Sequence, residues 1–169
     1  MFAMGAKTQP DENSERLFKI GQDVTETCYL SYQSNPSKLG AEWTSVGNDA
    51  LNYPDRAYLL RPETVESIFY MWRYTHDEKY REWGWNVVQA LESKCKDDAG
   101  YHGLENNGNP HDRQESFFLA ETLKYLYLLF EDDSVIPFDE YVFNTEAHVL
   151  SIRGYGRRSD SNKWVPLPY

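Results

Sequence analysis

The sequence predicts a mainly α-helical protein that ends in a short β-hairpin. Four stretches repeat apolar side chains at the three- and four-residue spacing of a helix with one buried face. Short polar or glycine-rich segments separate most of these stretches, so consecutive helices should lie side by side as helical hairpins. The segment "EDDSVIPFDEYVFNTEAHVLSI" instead suits short strands on either side of a polar turn.

The first predicted helix covers residues 12–33 and carries apolar side chains at Leu17, Ile20 and Val24. The stretch "SNPSKLG" ends this helix, because it contains both proline and glycine. Residues 41–58 follow as a long irregular connection. We expect this connection to have a functional role, since connections of such length often do.

A second helix should begin at Pro62, because proline favours the first position of a helix. Glu63 and Glu66 then fall in the first turn, where the helix dipole stabilises negative charge. A third helix should follow Asp77, a candidate N-cap, and continue to Leu91. Because very few residues join these two helices, they should form an antiparallel αα-hairpin.

The second half of the chain predicts a loop, a long helix and a hairpin. The segment "CKDDAGYHGLENNGNPHD" indicates a loop or small hairpin. Residues 114–130 predict a helix that is apolar nearly all round and therefore buried on most sides. We expect residues 153–169 to form a loosely ordered tail. The strand-forming side chains on either side of the polar "NTEAH" turn are Val142, Phe143, Val149, Leu150 and Ile152.

The composition of the 169 residues argues against several classes of protein. Aromatic residues make up 15%, which indicates a folded chain. A formal net charge of −10 argues against nucleic acids and anionic membranes as partners. No apolar stretch reaches the length of a transmembrane helix. The opening "MFAMGAKTQPDENSE" lacks a basic region and a long apolar core, so we expect neither a signal peptide nor an anchor in this chain.

Glu63 and Glu66 are candidates for acid–base chemistry. At a spacing of three residues they share one helix face, with Cβ atoms roughly 5–6 Å apart. Neighbouring carboxyl groups can separate their pKa values and act as acid and base. Arg61 could hold a carboxylate or a sugar hydroxyl beside them. The alternative is a first turn that is acidic only because the helix dipole favours it.

Glu121 lies in the middle of the apolar stretch 114–130. A carboxylate among apolar side chains must be paired or must line a polar cavity. The alternative is that Glu121 faces solvent and pairs with Lys124 one turn later.

The sequence shows no pattern for a zinc site. Its four histidines lie at no metal-ligand spacing, and Cys28 and Cys95 form no CxxC motif. We expect two free thiols, with a Cys28–Cys95 disulfide left open. A hard cation such as Ca²⁺ would take carbonyl, hydroxyl and water oxygens instead. The residue patterns alone therefore indicate a helical domain with buried carboxylates.

Three segments resemble the C-terminal part of the class I α-1,2-mannosidases, glycoside hydrolase family 47. They are "LLRPETVESIFYMWRYTHDEKYREWGW", "ESFFLAETLKYLYLLF" and "VFNTEAH", and they occur in the family's order and spacing. The resemblance implies that residues 1–152 are part of a catalytic domain. The implied fold is the C-terminal part of an (αα)7 toroid, or barrel, with a C-terminal β-hairpin plug. The implied activity trims high-mannose N-glycans in the endoplasmic reticulum or Golgi lumen, or outside the cell.

The resemblance assigns sugar-handling roles to four side chains. Glu63 would be the general base that activates water for inverting hydrolysis of terminal α-1,2-linked mannose. Arg61 and Glu66 would line the sugar subsite. Phe117 would stack on the mannose ring.

The resemblance also implies a Ca²⁺ cofactor. Thr145, at the tip of the hairpin, would bind Ca²⁺ through its carbonyl and hydroxyl oxygens. Glu146 would hold a water molecule that is bound to the ion. Glu121 would lie near the calcium shell and contribute to substrate binding.

The resemblance implies that some functional residues of the family lie upstream of the segment that this chain matches. The opening "MFAMGAK" resembles the end of a family motif, H-L-x-C-F-x-G-G, whose cysteine forms a disulfide with the position that Cys28 matches. The family's general acid also lies upstream of the matched residues. We therefore expect residues 1–169 alone to have little or no mannosidase activity.

Two other functions compete with a glycosidase. A non-catalytic, lectin-like protein would keep the sugar and calcium contacts but perform no chemistry. The presence of Glu63 and the "NTEAH" turn disfavour it. A plain helical scaffold, such as a tetratricopeptide-like array, is disfavoured by the irregular spacing of the helices and by the strand-like segment near the end.

Overall fold

The structure, a computed structural model, describes residues 2–8, 10–47, 50–152, 157–158 and 164–165. These residues fall in two compact units, Met1–Phe130 and Glu131–Tyr169. The first unit is mainly helical and the second is built on β-hairpins, which confirms the predicted mainly helical class. Of the helices in the described ranges, none has both the length and the apolar character needed to cross a lipid bilayer.

Within the described residues, the first unit contains five α-helices and one π-helical turn. Their bounds are α1 Phe2–Thr8, α2 Ser14–Ser34, α3 Glu63–Thr75, α4 Lys79–Lys94, the π turn Phe118–Thr122 and α5 Leu123–Phe130. Helix α1 packs on α2, and α3 packs on α2, α4 and α5. The helix predicted over residues 12–33 is confirmed, since α2 begins two residues later and ends one residue later than predicted.

The αα-hairpin predicted from the sequence is formed by α3 and α4. His76 ends α3 in the left-handed conformation, with φ of 53°, and its N–H bonds the carbonyl of Trp72 at 2.7 Å. Helix α4 begins two residues later than the predicted cap, but the Asp77 carboxylate still accepts the N–H of Lys79 at 3.1 Å. The sequence therefore places this turn correctly.

Helices α4 and α5 meet at a glycine. A Cβ atom at Gly84 would lie 2.1 Å from Cδ2 of Leu129, so a side chain there would have to displace the buried Leu129 side chain. The adjoining core is filled by the fully buried side chains of Ile68, Phe69, Val87 and Leu128. These side chains come from α3, α4 and α5, so the three helices share one apolar layer.

The long helix predicted over residues 114–130 differs from the structure in two ways. Its regular part, α5, follows a π turn in which the N–H of Leu123 bonds the carbonyl of Phe118. The expectation of burial on most sides is also wrong for part of the helix. Leu119, Tyr127 and Phe130 are 60%, 60% and 43% exposed.

The segment predicted as an irregular connection, residues 41–58, instead forms a β-hairpin. Strands β1, Trp43–Gly47, and β2, Ala50–Asp55, pair antiparallel with a bulge between Trp43 and Ser45. The hydroxyl of Tyr53 bonds the carbonyl of Ser31 at 3.0 Å and fastens the hairpin to α2. The prediction failed because Gly47 and Pro54 signal irregular structure, and the alternation in β2 covers only a few residues.

Two shorter hairpins confirm the remaining strand predictions. Strand β3, Gly103–Leu104, pairs with β4, Pro110–His111, within the glycine- and asparagine-rich segment. In the second unit, β5, Tyr141–Phe143, pairs with β6, Val149–Ser151, on either side of the "NTEAH" turn. Strands β7, Arg157–Arg158, and β8, Trp164–Val165, also pair. The rest of residues 153–169 lies outside the described residues, so the loosely ordered tail stays a prediction.

A strained corner precedes α3. Leu60 is fully buried and adopts a left-handed conformation, with φ of 61°, which costs a residue with a side chain about 1–3 kcal/mol. The hydroxyl of Thr122, also fully buried, donates to the Leu60 carbonyl at 2.7 Å. This hydrogen bond links the π turn to the residue immediately before Arg61, and so fixes where the chain enters α3.

Replacing Thr122 by valine should lower the free energy of unfolding by about 1–3 kcal/mol. The substitution keeps the shape of the side chain but leaves the buried Leu60 carbonyl without its donor. Thr27→Val is the matched control, because Thr27 also donates to a backbone carbonyl, at 2.8 Å, but is exposed. Chemical denaturation of the two variants measures the difference. Equal losses of unfolding free energy in both variants would show that the buried Thr122 hydrogen bond stabilises the fold no more than the exposed one of Thr27.

Candidate active site

The start of α3 presents three of the side chains that the sequence singled out. Glu63 is exposed, Glu66 is half-buried one turn later, and Arg61 precedes the helix. Both glutamates lie in the first turn, where the helix dipole favours their charge. Their different exposure leaves Glu63 open to solvent and draws Glu66 toward the interior.

Arg61 is held by a carboxylate from the β1–β2 segment. Its Nε donates to Oε1 and Oε2 of Glu42 at 2.8 and 2.9 Å, and its Nη2 lies 2.8 Å from Oε2. The hydrogen bond to Glu42 raises the pKa of Arg61 further above its ordinary value. The guanidinium carbon also lies 6.0 Å from the centre of the Phe117 ring. The structure therefore brings Arg61 and Phe117 close together.

Glu66 has a partner that the sequence did not reveal. The Tyr125 hydroxyl donates to the Glu66 carboxylate. Burial raises the pKa of Glu66, the charge of Glu63 adds to this rise, and the hydrogen bond from Tyr125 opposes it. The pKa of Tyr125 is in turn raised by its burial and by the negative charge of Glu66.

Glu121 lies inside the π turn and is only 7% exposed. The alternative in which this carboxylate faces solvent is therefore wrong, and the expectation of a buried carboxylate is confirmed. Its charge also raises the pKa of Tyr125, one helical turn later. Glu66 and Glu121 thus act on the same tyrosine from two elements. Single π turns inside helices frequently occur at functional sites.

Sequence reasoning missed Glu42, Tyr125 and Thr122. Tyr125 follows Glu121 by four residues, so a search for polar groups on the same helix face could have found it. Glu42 lies nineteen residues before Arg61, in a segment without periodicity, and offered no local signal. Thr122 lies 62 residues from Leu60, and only the tertiary structure shows their contact.

The second unit carries the residues predicted to bind calcium. Thr145 and Glu146 are exposed in the turn between β5 and β6. The side-chain oxygen of Asn144 accepts the N–H groups of Glu146 and His148 at 3.0 and 2.8 Å, which shapes the turn. Among the described residues, none forms a hydrogen bond with the hydroxyl or carbonyl of Thr145. Two accessible neutral oxygens fit a hard cation.

The chain offers few other ligands for a metal ion. Within the described ranges, no group of three or more histidine, cysteine, aspartate or glutamate side chains is arranged to hold a metal. Calcium takes six to eight oxygen ligands. The donor set at Thr145 therefore fits an ion that completes its shell with water and ligand hydroxyls.

Both cysteines are free thiols, as expected, and the open alternative of a Cys28–Cys95 disulfide is wrong. Cys95 is fully buried, and burial raises its pKa to about 12. Cys28 is half-buried and its pKa is also raised by burial. Both thiols are therefore poor nucleophiles at neutral pH. The disulfide partner that the resemblance implied for Cys28 stays a prediction.

The start of α3 combines an exposed carboxylate, a second half-buried carboxylate, an anchored arginine and an aromatic ring. Glycosidases use pairs of carboxyl groups to cleave a glycosidic bond. A sequence model of the family described as Glycosyl hydrolase family 47 matches residues 1–152. The chain belongs to this glycosidase family.

Named relatives agree with this family. The chain is 51% identical over 162 residues to a mannosyl-oligosaccharide alpha-1,2-mannosidase IA of Drosophila melanogaster, covering 91% of this chain and 24% of the relative. It is 44% identical over 160 residues to a human mannosyl-oligosaccharide 1,2-alpha-mannosidase IC, covering 90% and 25%. The chain therefore spans about a quarter of the length of these relatives.

A solved structure shares the fold. The alpha-1,2-mannosidase from Trichoderma reesei superposes with a TM-score of 0.78 at 29% sequence identity. The likeness covers 90% of this chain and 37% of that protein. The mainly helical fold of this chain is therefore shared with a solved alpha-1,2-mannosidase.

Tyr125→Phe should raise the pKa of Glu66 further, because the lost hydrogen bond stabilises the charged carboxylate. A carboxyl pKa raised by folding contributes stability that is complete below the unfolded value and is lost as pH rises through the folded value. In Tyr125→Phe, the folding stability should therefore continue to fall up to a higher pH than in the wild type. Carboxyl ¹³C NMR titration of Glu66 measures the shift.

The control for this substitution is Tyr127→Phe, on the same helix. Tyr127 is 60% exposed, and its substitution should leave the Glu66 titration unchanged. A lower or unaltered Glu66 pKa in the Tyr125 variant would contradict the assigned hydrogen bond.

Proposed function

We propose that this chain serves calcium-dependent, inverting hydrolysis of terminal α-1,2-linked mannose in high-mannose N-glycans. The observation that carries the proposal is the exposed carboxylate of Glu63 beside the Arg61–Phe117 contact. Family membership supports a glycosidase, and the relatives are named mannosyl-oligosaccharide mannosidases. By analogy with its family, the protein works in the endoplasmic reticulum or Golgi lumen, or outside the cell.

Glu63 is the general base in this proposal. Inversion requires a carboxylate that removes a proton from water while a second carboxyl group protonates the leaving oxygen, with the two about 6.5–9.5 Å apart. An exposed carboxylate at a helix start can contact such a water molecule, and the helix dipole favours its charged, proton-accepting form. The general acid is assigned to none of the described residues.

Phe117, Arg61 and Glu66 bind the sugar in this proposal. The half-buried Phe117 ring offers an apolar face to the C–H groups of a mannose ring. Arg61 and Glu66 offer, respectively, a donor and an acceptor for its hydroxyl groups. Glu121 supports this subsite from the π turn, next to Tyr125.

Calcium would be held by the carbonyl and hydroxyl oxygens of Thr145, with Glu146 reaching it through water. When bound, the ion supplies a hard centre that can orient sugar hydroxyl groups. Asn144 supports this role, since it fixes the backbone of the turn through two hydrogen bonds and leaves both Thr145 oxygens accessible.

The alternative is a non-catalytic, lectin-like glycan-binding protein. Such a protein needs the sugar contacts of Arg61 and Phe117 but has no use for a base. The solvent-exposed carboxylate of Glu63, beside the Arg61–Phe117 contact, favours the hydrolase, because binding alone needs no base.

Glu63→Gln should lower kcat by about 10²- to 10⁴-fold, because the amide cannot accept the proton from water. Binding of a non-cleavable, sulfur-linked α-1,2-mannobiose should change little. Mannose release and calorimetric binding, measured on the protein expressed from its complete coding sequence, separate the two effects.

Glu82→Gln is the control for the general base, since Glu82 is likewise exposed in the first turn of a neighbouring helix. It should keep full turnover. Normal turnover in the Glu63 variant would remove Glu63 as the base, and binding without turnover in the wild type would favour the lectin-like alternative.

Thr145→Val should weaken calcium binding by at least about tenfold, since it removes one of two oxygen donors while keeping the shape of the side chain. Calcium titration followed by calorimetry measures this change, and added chelator should abolish mannose release by the wild type. Thr27→Val, on α2, should leave calcium binding unaltered. Unchanged affinity in the Thr145 variant would show that the ion binds elsewhere.

A further inference from the structure

We propose that Glu42 is a positioning residue that holds Arg61 for sugar binding and makes the subsite selective for neutral over anionic sugars. The inference rests on the proposed function and concerns the same subsite. It assigns a specific role to the segment over residues 41–58, whose length alone predicted some function.

Glu42 and Arg61 form a two-point contact, which we call the clamp. Nε of Arg61 donates to both carboxylate oxygens, at 2.8 and 2.9 Å, while Nη2 lies 2.8 Å from one of them. The Glu42 side chain is 20% exposed and that of Arg61 is 45% exposed, so the carboxylate is the more enclosed partner. Such a two-point contact fixes the plane of the guanidinium as well as its position.

Glu42 is itself tied to the fold. Its N–H donates to the carbonyl of Ala57 at 2.8 Å, immediately before β1 begins. The Ala57 N–H in turn donates to the Asp55 carboxylate at 3.0 Å. The Tyr53 hydroxyl fastens the same hairpin to α2. The backbone of Glu42 is therefore fixed by several hydrogen bonds. This distinguishes its ion pair with Arg61 from an ordinary surface ion pair between two mobile side chains.

The clamp leaves part of the guanidinium available to a ligand. An arginine side chain has five N–H donors, and Glu42 occupies those of Nε and one on Nη2. Among the described residues, no further hydrogen bond involves the other donors of Arg61. These donors lie beside the Phe117 ring, whose centre is 6.0 Å from the guanidinium carbon. A sugar stacked on Phe117 can accept hydrogen bonds from them.

The charge balance of the clamp determines the class of sugar. Glu42 cancels the charge of Arg61, and the exposed Glu63 adds negative charge nearby. The remaining donors therefore suit neutral hydroxyl groups, whereas an unpaired arginine at this place would attract phosphate or carboxylate. Loss of the Glu42 charge should shift the preference of the subsite toward anionic sugars.

The test compares wild-type protein, Glu42→Gln and the control Glu92→Gln, each expressed from the complete coding sequence. Glu92 forms a 2.6 Å ion pair with Lys96 on α4. Calorimetry measures binding of sulfur-linked α-1,2-mannobiose and of its 6-phosphorylated form, and kinetics on α-1,2-mannobiose give KM and kcat. Thermal unfolding confirms that each variant is folded, and Glu42→Ala, which also removes the charge, replaces Glu42→Gln if the latter does not fold.

Glu42→Gln should raise Kd and KM for the neutral disaccharide about three- to tenfold, with kcat within about twofold. Binding of the phosphorylated ligand relative to the neutral one should rise in the same variant, and Glu92→Gln should match the wild type. The double variant with Glu42→Gln and Arg61→Lys should bind the disaccharide about as weakly as Arg61→Lys alone. Lysine at position 61 already removes the two-point contact with Glu42, so the second substitution has no contact left to break.

Two outcomes would overturn the inference alone. One is wild-type binding with equal affinity and selectivity in Glu42→Gln, and the other is a fall in kcat with unaltered KM. A wild type that neither binds nor cleaves the disaccharide would refute the proposed function, and the role of Glu42 would fall with it.

Discussion

The hydrogen bond from Thr122 to the Leu60 carbonyl is the constraint on which the candidate site depends. It joins the π turn to the strained corner before α3, and both of its residues are fully buried. The corner decides where Arg61 leaves the core and where the first turn of α3 begins. This buried contact therefore sets the start of α3 and the backbone of Arg61, Glu63 and Glu66, while Glu42 holds the Arg61 side chain.

Two of the charged side chains at the site have a specific partner. Glu42 neutralises Arg61, and Tyr125 donates to Glu66 against the cost of burying that carboxylate. Glu63 remains exposed at the helix start. The arrangement separates two neighbouring glutamates by environment, since one is open to water and the other is held by a tyrosine. Such separation is how carboxyl groups of one type acquire different roles.

The helices could be predicted because their cause is local. Apolar periodicity located α2, α3 and α4, and the motifs shared with the family singled out Glu63, Phe117 and Thr145. The β1–β2 hairpin escaped prediction because Gly47 and Pro54 signalled irregular structure, whereas it is held by backbone pairing and by the distant Tyr53–Ser31 contact. The partners of Arg61 and Leu60 lie 19 and 62 residues away, and no local pattern reports contacts at that range.

The π turn has a consequence for how this helix can vary in evolution. A π turn absorbs an additional residue locally, so the helix beyond it keeps the face that it presents to the core. Here the wider turn directs two adjacent polar side chains, Glu121 and Thr122, into the interior, while Leu128 and Leu129 of α5 still pack as in a regular helix. Packing and chemistry are thus separable along one helix. A relative with one residue fewer in this turn could keep the packing of α5 against the core, yet lose a polar side chain from the site.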